Sequence, residues 1–356
     1  MVHESRRILA NRSKKTPAPL WSYEFFCQNH GDMMSCIIMF AVIGLMFNLT
    51  NPISSLFLLP QYNETIISST ITNKTEIVYS TGLYDVPNFI FYSVVWITIH
   101  ALIQEYVLDK IQRKYHLSRT SMSKFFESGH FFIFFAYSTI HSFSIIYENN
   151  YIYNPSQMWI NYPQNHRKIG INIKMFYLLQ ISYWIHQFPC FFFHKVKKDE
   201  IPTRCAYSSA YLILIIASYY MNFTKCATLL LFLQYFILTF YHYGRILLLL
   251  GKKKRACIIF TTYNTFFVIT KIISFSVTIY TFGNGLDANE NNNDREGNFN
   301  TQKKRFAILL IMTSMQIFQI MKFFMKLMSI YSIKYNMDKS FQNKDEYNEE
   351  GKSKNK

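Results

Sequence analysis

Eight apolar stretches divide this chain, and their lengths limit what it can fold into. A helix needs about 20 mostly apolar residues to cross the hydrocarbon core of a bilayer. The stretches cover residues 33–49, 86–108, 128–147, 170–193, 205–221, 228–250, 257–282 and 306–331. The first and fifth are short. The fifth and sixth could together form a single re-entrant hairpin instead of two spans. Two spans fit that length better, so the sequence predicts an all-α, polytopic membrane helical bundle with eight transmembrane spans.

The charge content agrees with a membrane location. Only 16% of the residues are charged, whereas about a quarter are charged in an ordinary soluble domain. The net charge of +16 would also suit a nucleic-acid-binding protein, but the basic residues form short clusters between the apolar stretches. Because such clusters cannot build one compact basic face, we expect no nucleic-acid partner.

The placement of Lys and Arg predicts the orientation of the bundle. Of the 37 Lys and Arg residues, 24 lie in segments on the side of the N-terminus and 7 lie in segments on the opposite side. The others lie within spans or at their ends. Cytosolic segments of membrane proteins carry the excess of these residues. We therefore expect both termini to be cytosolic.

Two N-glycosylation sequons fall in one predicted lumenal segment, residues 50–85. They are Asn63-Glu64-Thr65 and Asn73-Lys74-Thr75. One sequon carries little information in a chain rich in Asn, Ser and Thr. Here both lie in the long segment that the charge pattern independently places in the lumen, so we expect glycans on Asn63 and Asn73.

The C-terminal tail fits a sorting pattern. It ends in Lys352-Ser-Lys354-Asn-Lys356, which matches the KxKxx pattern of cytosolic retrieval signals of the endoplasmic reticulum. Lys352 and Lys354 are the residues that the pattern requires. Lysine-rich tails also match it by chance, so both interpretations stay open. Because the tail is polar and rich in charge, we expect residues 336–356 to be a disordered basic segment.

Several polar side chains fall inside the predicted spans, where they are costly and often functional. In the second span His100 and Gln104 are one helical turn apart and Glu105 is adjacent, and His186 lies in the fourth span. One interpretation is a polar face that lines a lateral opening or a lipid-headgroup pocket. The other, commoner role is hydrogen bonding between helices that holds the bundle together. Lys271 lies deeper and needs a partner that the sequence does not identify.

No pattern for nucleophilic catalysis, phosphoryl transfer or zinc-dependent hydrolysis occurs in the sequence. The ten histidines are scattered, and no two of the six cysteines have the spacing of a metal site. We expect the cysteines to be small apolar packing residues. The sequence therefore predicts no catalytic residue, no metal site and no cofactor.

Motifs along the chain resemble the translocating chain-associated membrane protein (TRAM) family. They lie, in order, at residues 24–32, 61–63, 100–111, 183–189 and 297–300, and the likeness extends from about residue 22 to residue 331. The most recognisable is His100-Ala-Leu-Ile-Gln-Glu-Tyr-Val-Leu-Asp-Lys-Ile111. The resemblance implies a multi-pass protein of the endoplasmic reticulum membrane that contains a TLC homology domain.

The resemblance also implies an organisation, partners and a role. The expected parts are a cytosolic N-terminal segment (1–32), two spans with a glycosylated lumenal loop (33–117), a TLC-like six-span bundle (118–335) and the tail (336–356). The expected partners are the Sec translocon, nascent signal sequences and transmembrane segments, and membrane lipids. The expected role is to assist translocation of secretory chains and lateral insertion of membrane segments, without catalysis.

Ceramide synthases share the TLC domain, so an acyltransferase is the main rival interpretation. Those enzymes carry His and Asp residues in the spans that match the fifth and sixth here. By our alignment Leu214, Gln234 and Leu238 occupy the positions of an acid–base group. None of them can take the proton of an attacking amine, so we predict that the chain is not an enzyme. A non-catalytic protein that binds or regulates sphingolipids is the alternative, and a transporter is supported only by buried charges such as Lys271.

Overall fold

The computed structural model describes residues 22–67, 75–193, 196, 198–287 and 299–353. These residues form a bundle of long helices with a small antiparallel sheet at one end. The mostly helical fold expected from the apolar stretches is confirmed.

The described residues form helices that follow one another along the chain. They are α1 (Tyr23–Gly44), α2 (Asn51–Leu58), α3 (Asp85–Ile103), α4 (Asp109–Tyr115), α5 (Arg119–Glu148), α6 (Gln164–Arg167), α7 (Ile171–Phe193), α8 (Ile201–Tyr220), α9 (Thr224–Leu249), α10 (Lys253–Ile279) and α11 (Gln302–Ser353). A π-helical segment, Gln104–Leu108, joins α3 to α4, and a second one, Tyr280–Gly285, extends α10.

Six helical segments of the described chain are long and apolar enough to cross a membrane. They are Asp85–Tyr115, Ser121–Glu148, Ile201–Tyr220, Thr224–Leu249, Lys253–Gly285 and Gln302–Ser329. They correspond to the predicted second, third, fifth, sixth, seventh and eighth spans. Helices α1 and α7, of 22 and 23 residues, stand where the first and fourth spans were predicted. The arrangement with eight spans therefore stays a prediction.

Helix α1 begins earlier than the predicted span. The expected bounds were residues 33–49, but the helix starts at Tyr23, where the side chain of Ser22 accepts a hydrogen bond from the Phe25 N–H at 3.2 Å. It ends at Gly44, whose carbonyl accepts a hydrogen bond from the Thr50 hydroxyl at 2.7 Å. The polar residues of the first turns carry no apolar signal, and for that reason the sequence did not reveal the helix start.

A three-stranded sheet covers one end of the bundle and was not predicted. Strands β1 (Asn63–Ile67) and β2 (Thr75–Tyr79) form an antiparallel hairpin, and β3 (Ile169–Gly170) pairs antiparallel with β2. The last strand immediately precedes α7. The sheet therefore connects the segment between α2 and α3 to the start of α7.

Helix α7 lies at the centre of the bundle. It packs against α3, α5 and α8, while α5 packs on α9 and α9 on α10. Buried side chains occupy all of its faces: Ile173, Lys174, Phe176, Tyr177, Leu178, Gln180, Ile181, Ser182, Tyr183, Trp184, His186, Gln187, Cys190 and Phe191. An amphipathic helix buries one face only. This helix is therefore surrounded by protein.

The last helix is longer than the sequence predicted. We expected the final span to end at residue 331 and a disordered tail from residue 336, but α11 continues to Ser353. Residues 332–350 contain no Gly and no Pro and include three Lys and three Glu residues, which favour a continued helix.

Candidate functional site

The contact between α3 and α7 positions the histidines that the sequence singled out. The indole N–H of Trp96 donates a hydrogen bond to the Leu179 carbonyl at 3.1 Å. The Ser182 hydroxyl donates to the Phe89 carbonyl at 3.0 Å. Inside a membrane such side-chain bonds fix the register of two helices, because few other polar partners are available. They hold α3 and α7 side by side, so that His100 faces α7.

His100 and His186 lie together with a cysteine that the sequence had not connected to them. The Nε2 atom of His186 lies 3.4 Å from Nδ1 of His100, and Sγ of Cys190 lies 3.6 Å from the same atom. The other ring nitrogen of His186 hydrogen-bonds the Tyr183 carbonyl. The ring of His130, on α5, packs edge-on against His100 with a centroid distance of 3.4 Å. Imidazole and thiolate groups are ligands of soft transition metals.

The four predicted members of the polar face do not form one face. His100 and His186 meet, and His186 is fully buried. Gln104 is half-buried and Glu105 is exposed, both in the π-helical segment that follows α3. Glu105 lies 20 residues after Asp85, about 30 Å along a helix axis, which equals the thickness of the hydrocarbon core. A hydrocarbon core with one edge at Asp85 would have its other edge at Glu105, where the carboxylate meets water and avoids the expected penalty.

One part of the histidine cluster was visible in the sequence. His186 and Cys190 are four residues apart, and residues at this spacing share one face of a helix. The contribution of His100 was not visible, because it comes from α3, 86 residues earlier in the chain.

Lys271 has the partners that the sequence left unidentified. Its Nζ donates to the Gln234 side-chain oxygen at 2.7 Å and to the side-chain oxygen of Gln319. Gln234 in turn donates to the Tyr211 hydroxyl at 3.1 Å. The four residues lie on α8, α9, α10 and α11 and form a polar chain within the bundle. In the described residues no carboxylate forms an ion pair with Lys271.

His166 is a buried titratable group outside the predicted spans, in the segment between α5 and α7. It is buried beside the ring of Tyr162, with a centroid distance of 5.3 Å. Burial, and next the charge of Lys225, lower the pKa of His166 to about 3, against contacts with the backbone of Ile160 and Asn222 that raise the pKa. The imidazole is therefore neutral at physiological pH.

Two comparisons identify the family. A family model described as a TLC domain matches residues 124–325. Translocating chain-associated membrane protein 2 of Homo sapiens is 34% identical over 317 residues, which cover 88% of this chain and 84% of that protein. The protein of the same name from Mus musculus matches to the same extent, 34% over 317 residues. The chain belongs to the TRAM family.

The histidine cluster joins two parts of this TRAM protein. The TLC match extends from α5 into α11 and includes His130, His186 and Cys190. His100 lies on α3, before the match begins. The cluster therefore connects the TLC segment to the helices that precede it.

Of the two predicted glycosylation sites and the two lysines of the predicted retrieval signal, the structure describes one of each. Asn63 is the first residue of β1 and is exposed. Asn73 and Lys354 lie outside the described residues, and Lys352 lies in the last turn of α11.

Proposed function

We propose that this TRAM protein resides in the endoplasmic reticulum membrane and assists the translocation of secretory chains and the lateral insertion of nascent membrane segments. The observation that carries the proposal is the 34% identity to proteins named translocating chain-associated, over 88% of this chain and 84% of its human relative. A match of 317 residues is longer than the TLC segment of residues 124–325 and therefore extends beyond it. The proposed partners are the Sec translocon, nascent signal sequences and transmembrane segments, and membrane lipids.

The proposed topology has eight spans and both termini in the cytosol. Six apolar helices, and two further helices of 22 and 23 residues at the positions of the first and fourth spans, support the count. The excess of Lys and Arg in the segments on the N-terminal side supports the orientation. The proposed parts are residues 1–32, 33–117, 118–335 and 336–356, with the retrieval signal at the end of the last.

The mechanism that we propose is physical. A charged side chain in the bilayer centre costs about 2.5–3.5 kcal/mol on insertion scales. Gln104 and Glu105, which are half-buried and exposed in the π-helical segment that follows α3, would offer hydrogen bonds to a charged side chain of a passing segment and so offset part of that cost. His186 is buried and cannot contact a passing segment. With His100 it forms a contact between α3 and α7 inside the bundle.

Photocrosslinking tests the proposed role. Microsomes that contain this protein would receive a short nascent secretory chain with a photoreactive residue in its signal sequence. We expect a crosslink to this protein that disappears when the nascent chain is released. If the translocon is labelled in the same microsomes and this protein is not, the proposal is wrong.

Two pairs of substitutions test which polar residues act on the nascent segment. Gln104→Leu with Glu105→Leu should impair insertion of segments that carry a charge and leave strongly apolar segments unaffected. His100→Leu with His186→Leu should act on stability of the bundle instead. If the variant with both Gln104→Leu and Glu105→Leu inserts both classes of segment as well as the wild type does, Gln104 and Glu105 have no role in insertion.

We also propose that the chain is not an acyltransferase. Gln234, at the expected position of an acid–base group, uses its amide to contact Tyr211 and Lys271. An amide takes no proton from an amine at neutral pH. Purified protein given acyl-CoA and a sphingoid base should form no amide product; product formation that depends on Gln234 would refute this assignment.

A lipid-binding role is the second candidate, and Lys271 favours it. Its ammonium group is buried and is held by two neutral amides. A cation that lacks a counter-charge in a low-dielectric interior attracts an anionic group. Lipids that co-purify after mild detergent extraction should then include one with a phosphate group, and Lys271→Met should lose it. An identical lipid content in the variant would eliminate this candidate.

A further inference from the structure

Three side chains with soft metal-binding atoms meet between α3 and α7. The ligand atoms of His100, His186 and Cys190 all lie within 4.8 Å of one another. Two of the side chains are buried and the third is half-buried. We propose that these residues form a binding site for a monovalent copper ion.

The distances fit trigonal coordination of one ion. Metal–nitrogen bonds of about 2.0 Å and metal–sulfur bonds of about 2.3 Å place two nitrogens about 3.5 Å apart, and nitrogen and sulfur about 3.7 Å apart, around a trigonal ion. The nitrogens of His100 and His186 are 3.4 Å apart, and the sulfur of Cys190 is 3.6 Å from the His100 nitrogen. The third pair, the His186 nitrogen and the Cys190 sulfur, lies within 4.8 Å, so an ion fits between the three atoms with little movement of the helices.

The tautomer of His186 is suited to metal binding. Its Nδ1–H donates to the Tyr183 carbonyl, which leaves the lone pair on Nε2, and Nε2 points at His100. Metal-bound histidines usually donate their second ring N–H to a carbonyl or carboxylate in this way, which fixes the ring and raises its basicity. The neighbouring ring of His130 packs against His100 and restricts its rotation.

Charge balance favours Cu(I) over Zn(II). Thiolate ligands select soft ions, Cu(I) and Zn(II) among them. One thiolate and two neutral imidazoles around Cu(I) give a complex with no net charge, whereas around Zn(II) they leave one positive charge. The group contains no carboxylate among the described residues. An unbalanced charge in an apolar interior is costly, so the monovalent ion fits better.

The binding step requires no oxidant. Cys190 loses its thiol proton to water, the Cu–S bond forms, and the copper stays in the reduced state. His100 is the most accessible of the three side chains, because it is half-buried while His186 and Cys190 are buried. In the proposed topology it lies nearer the cytosolic end of its span, and thiols are kept reduced in the cytosol.

The experiment uses the full-length protein, purified in detergent and kept reduced with ascorbate. It is titrated with Cu(I) bound to bicinchoninate, a competing chelator. The colour of the copper–bicinchoninate complex reports how much copper the protein has not taken up. We expect one copper per chain. X-ray absorption at the copper edge should show one sulfur and two nitrogens. Protein that takes no stoichiometric copper from the chelator, or that binds only Zn(II), would overturn the assignment.

Two matched cysteine variants separate copper binding from hydrogen bonding. Cys190→Ser keeps a hydrogen-bonding group beside His100 but removes the soft ligand, so the affinity for Cu(I) should fall by about 100-fold or more, with no loss of helix content. Cys226→Ser changes a cysteine that is equally buried in α9, away from the cluster, and should bind as the wild type does. Unchanged binding by Cys190→Ser would refute the site.

The copper site stands apart from the proposed role in translocation. Binding is measured on the isolated protein, so a negative photocrosslinking result leaves it unaffected. Loss of copper binding in Cys190→Ser likewise says nothing about contact with nascent chains.

Discussion

The ammonium group of Lys174 lies 2.7 Å from the carboxylate of Asp85, and neither side chain is exposed to solvent. The Tyr219 hydroxyl donates to the other carboxylate oxygen at 2.8 Å, and the Gly82 N–H donates to the same oxygen at 3.1 Å. Lys174 also donates to the Ser80 carbonyl at 2.8 Å. The ion pair therefore connects α3, α7 and α8 to the chain that follows β2, at the end of the bundle that carries the sheet.

Breaking this ion pair from one side should strongly destabilise the protein. Asp85→Asn leaves the Lys174 ammonium buried without a counter-charge. Lys174→Met leaves the Asp85 carboxylate buried without a counter-charge. Loss of one partner of a buried pair typically costs about 3–5 kcal/mol. Thermal unfolding in detergent should show a large decrease of the melting temperature for each variant.

The double variant and a surface pair are the controls. Asp85→Asn combined with Lys174→Met leaves no buried charge, so its loss should be smaller than the sum of the single losses. Lys168 and Glu64 form a half-exposed pair at 2.9 Å, and Lys168→Met should cost less than about 1 kcal/mol. If all the variants lose the same amount of stability, the buried ion pair contributes no more to stability than the half-exposed pair does.

The polar chain around Lys271 predicts an order of effects. Gln319→Leu removes one acceptor from a buried ammonium and should destabilise the protein by about 1–3 kcal/mol. Lys271→Met removes the buried charge itself and should cost less. Lys322→Met, on the exposed side of α11, is the control. Thermal unfolding measures all three, and a larger loss for Lys271→Met than for Gln319→Leu would contradict the expectation.

Two glycines of one π-helical segment should respond differently to the same substitution. A Cβ atom on Gly285 would lie 2.5 Å from the ring of Trp159, which is buried and cannot move aside easily. A Cβ atom on Gly283 would meet nothing closer than 3.9 Å. Gly285→Ala should therefore lose about 1–3 kcal/mol of stability by overpacking, and Gly283→Ala should stay near the wild type. Equal melting temperatures for the two variants would contradict this packing.

His166 should make the protein sensitive to acid. Its pKa is about 3 in the folded protein and higher when unfolded, so below about pH 6.5 the unfolded state binds the extra proton. Its contribution to stability is complete above that pH. It is then lost as the pH falls toward 3, by at most about 1.4 kcal/mol per pH unit. Melting temperatures measured from pH 7 to pH 4 should fall more steeply for the wild type than for His166→Gln; parallel curves would exclude this residue as the cause.

The exposed position of Asn63 predicts a glycan. The residue starts β1 in the segment that the proposed topology places in the lumen. Asn63→Gln should therefore lose one glycan and migrate faster than the wild type in gel electrophoresis. Treatment of both proteins with a glycan-removing amidase should abolish the difference. Asn11→Gln, at a sequon in the N-terminal segment, is the control and should leave mobility unchanged. Unchanged mobility of Asn63→Gln would remove one support for the orientation.

Local patterns predicted the long apolar helices and missed what depends on distant pairing. The stretches that became α9 and α10 are evident from composition alone. Strand β3 was missed because Gly170 pairs with Val78, a residue far away in the sequence. Lys174 and Asp85 are 89 residues apart, and only the packing of α3 on α7 makes them partners.

The same limit applies to the candidate site. The sequence identified His100 and His186 as polar residues inside spans, and the structure brings them together. The spacing of four residues places Cys190 on the face of His186, but the sequence could not show that His100 meets both of them, nor that Glu105 is exposed. Helical spacing predicts the face that a side chain occupies, but not which neighbouring helix faces it.

The central position of α7 has a consequence for the synthesis of this protein. Its buried Lys174, Gln180 and His186 contact polar side chains of α3 and α5, and on its own the helix would present them to lipid acyl chains. It therefore gains little from leaving the insertion channel before those neighbours are in place. In the arrangement proposed here, the protein that assists difficult segments contains one, and its own biogenesis requires the help that it gives to others.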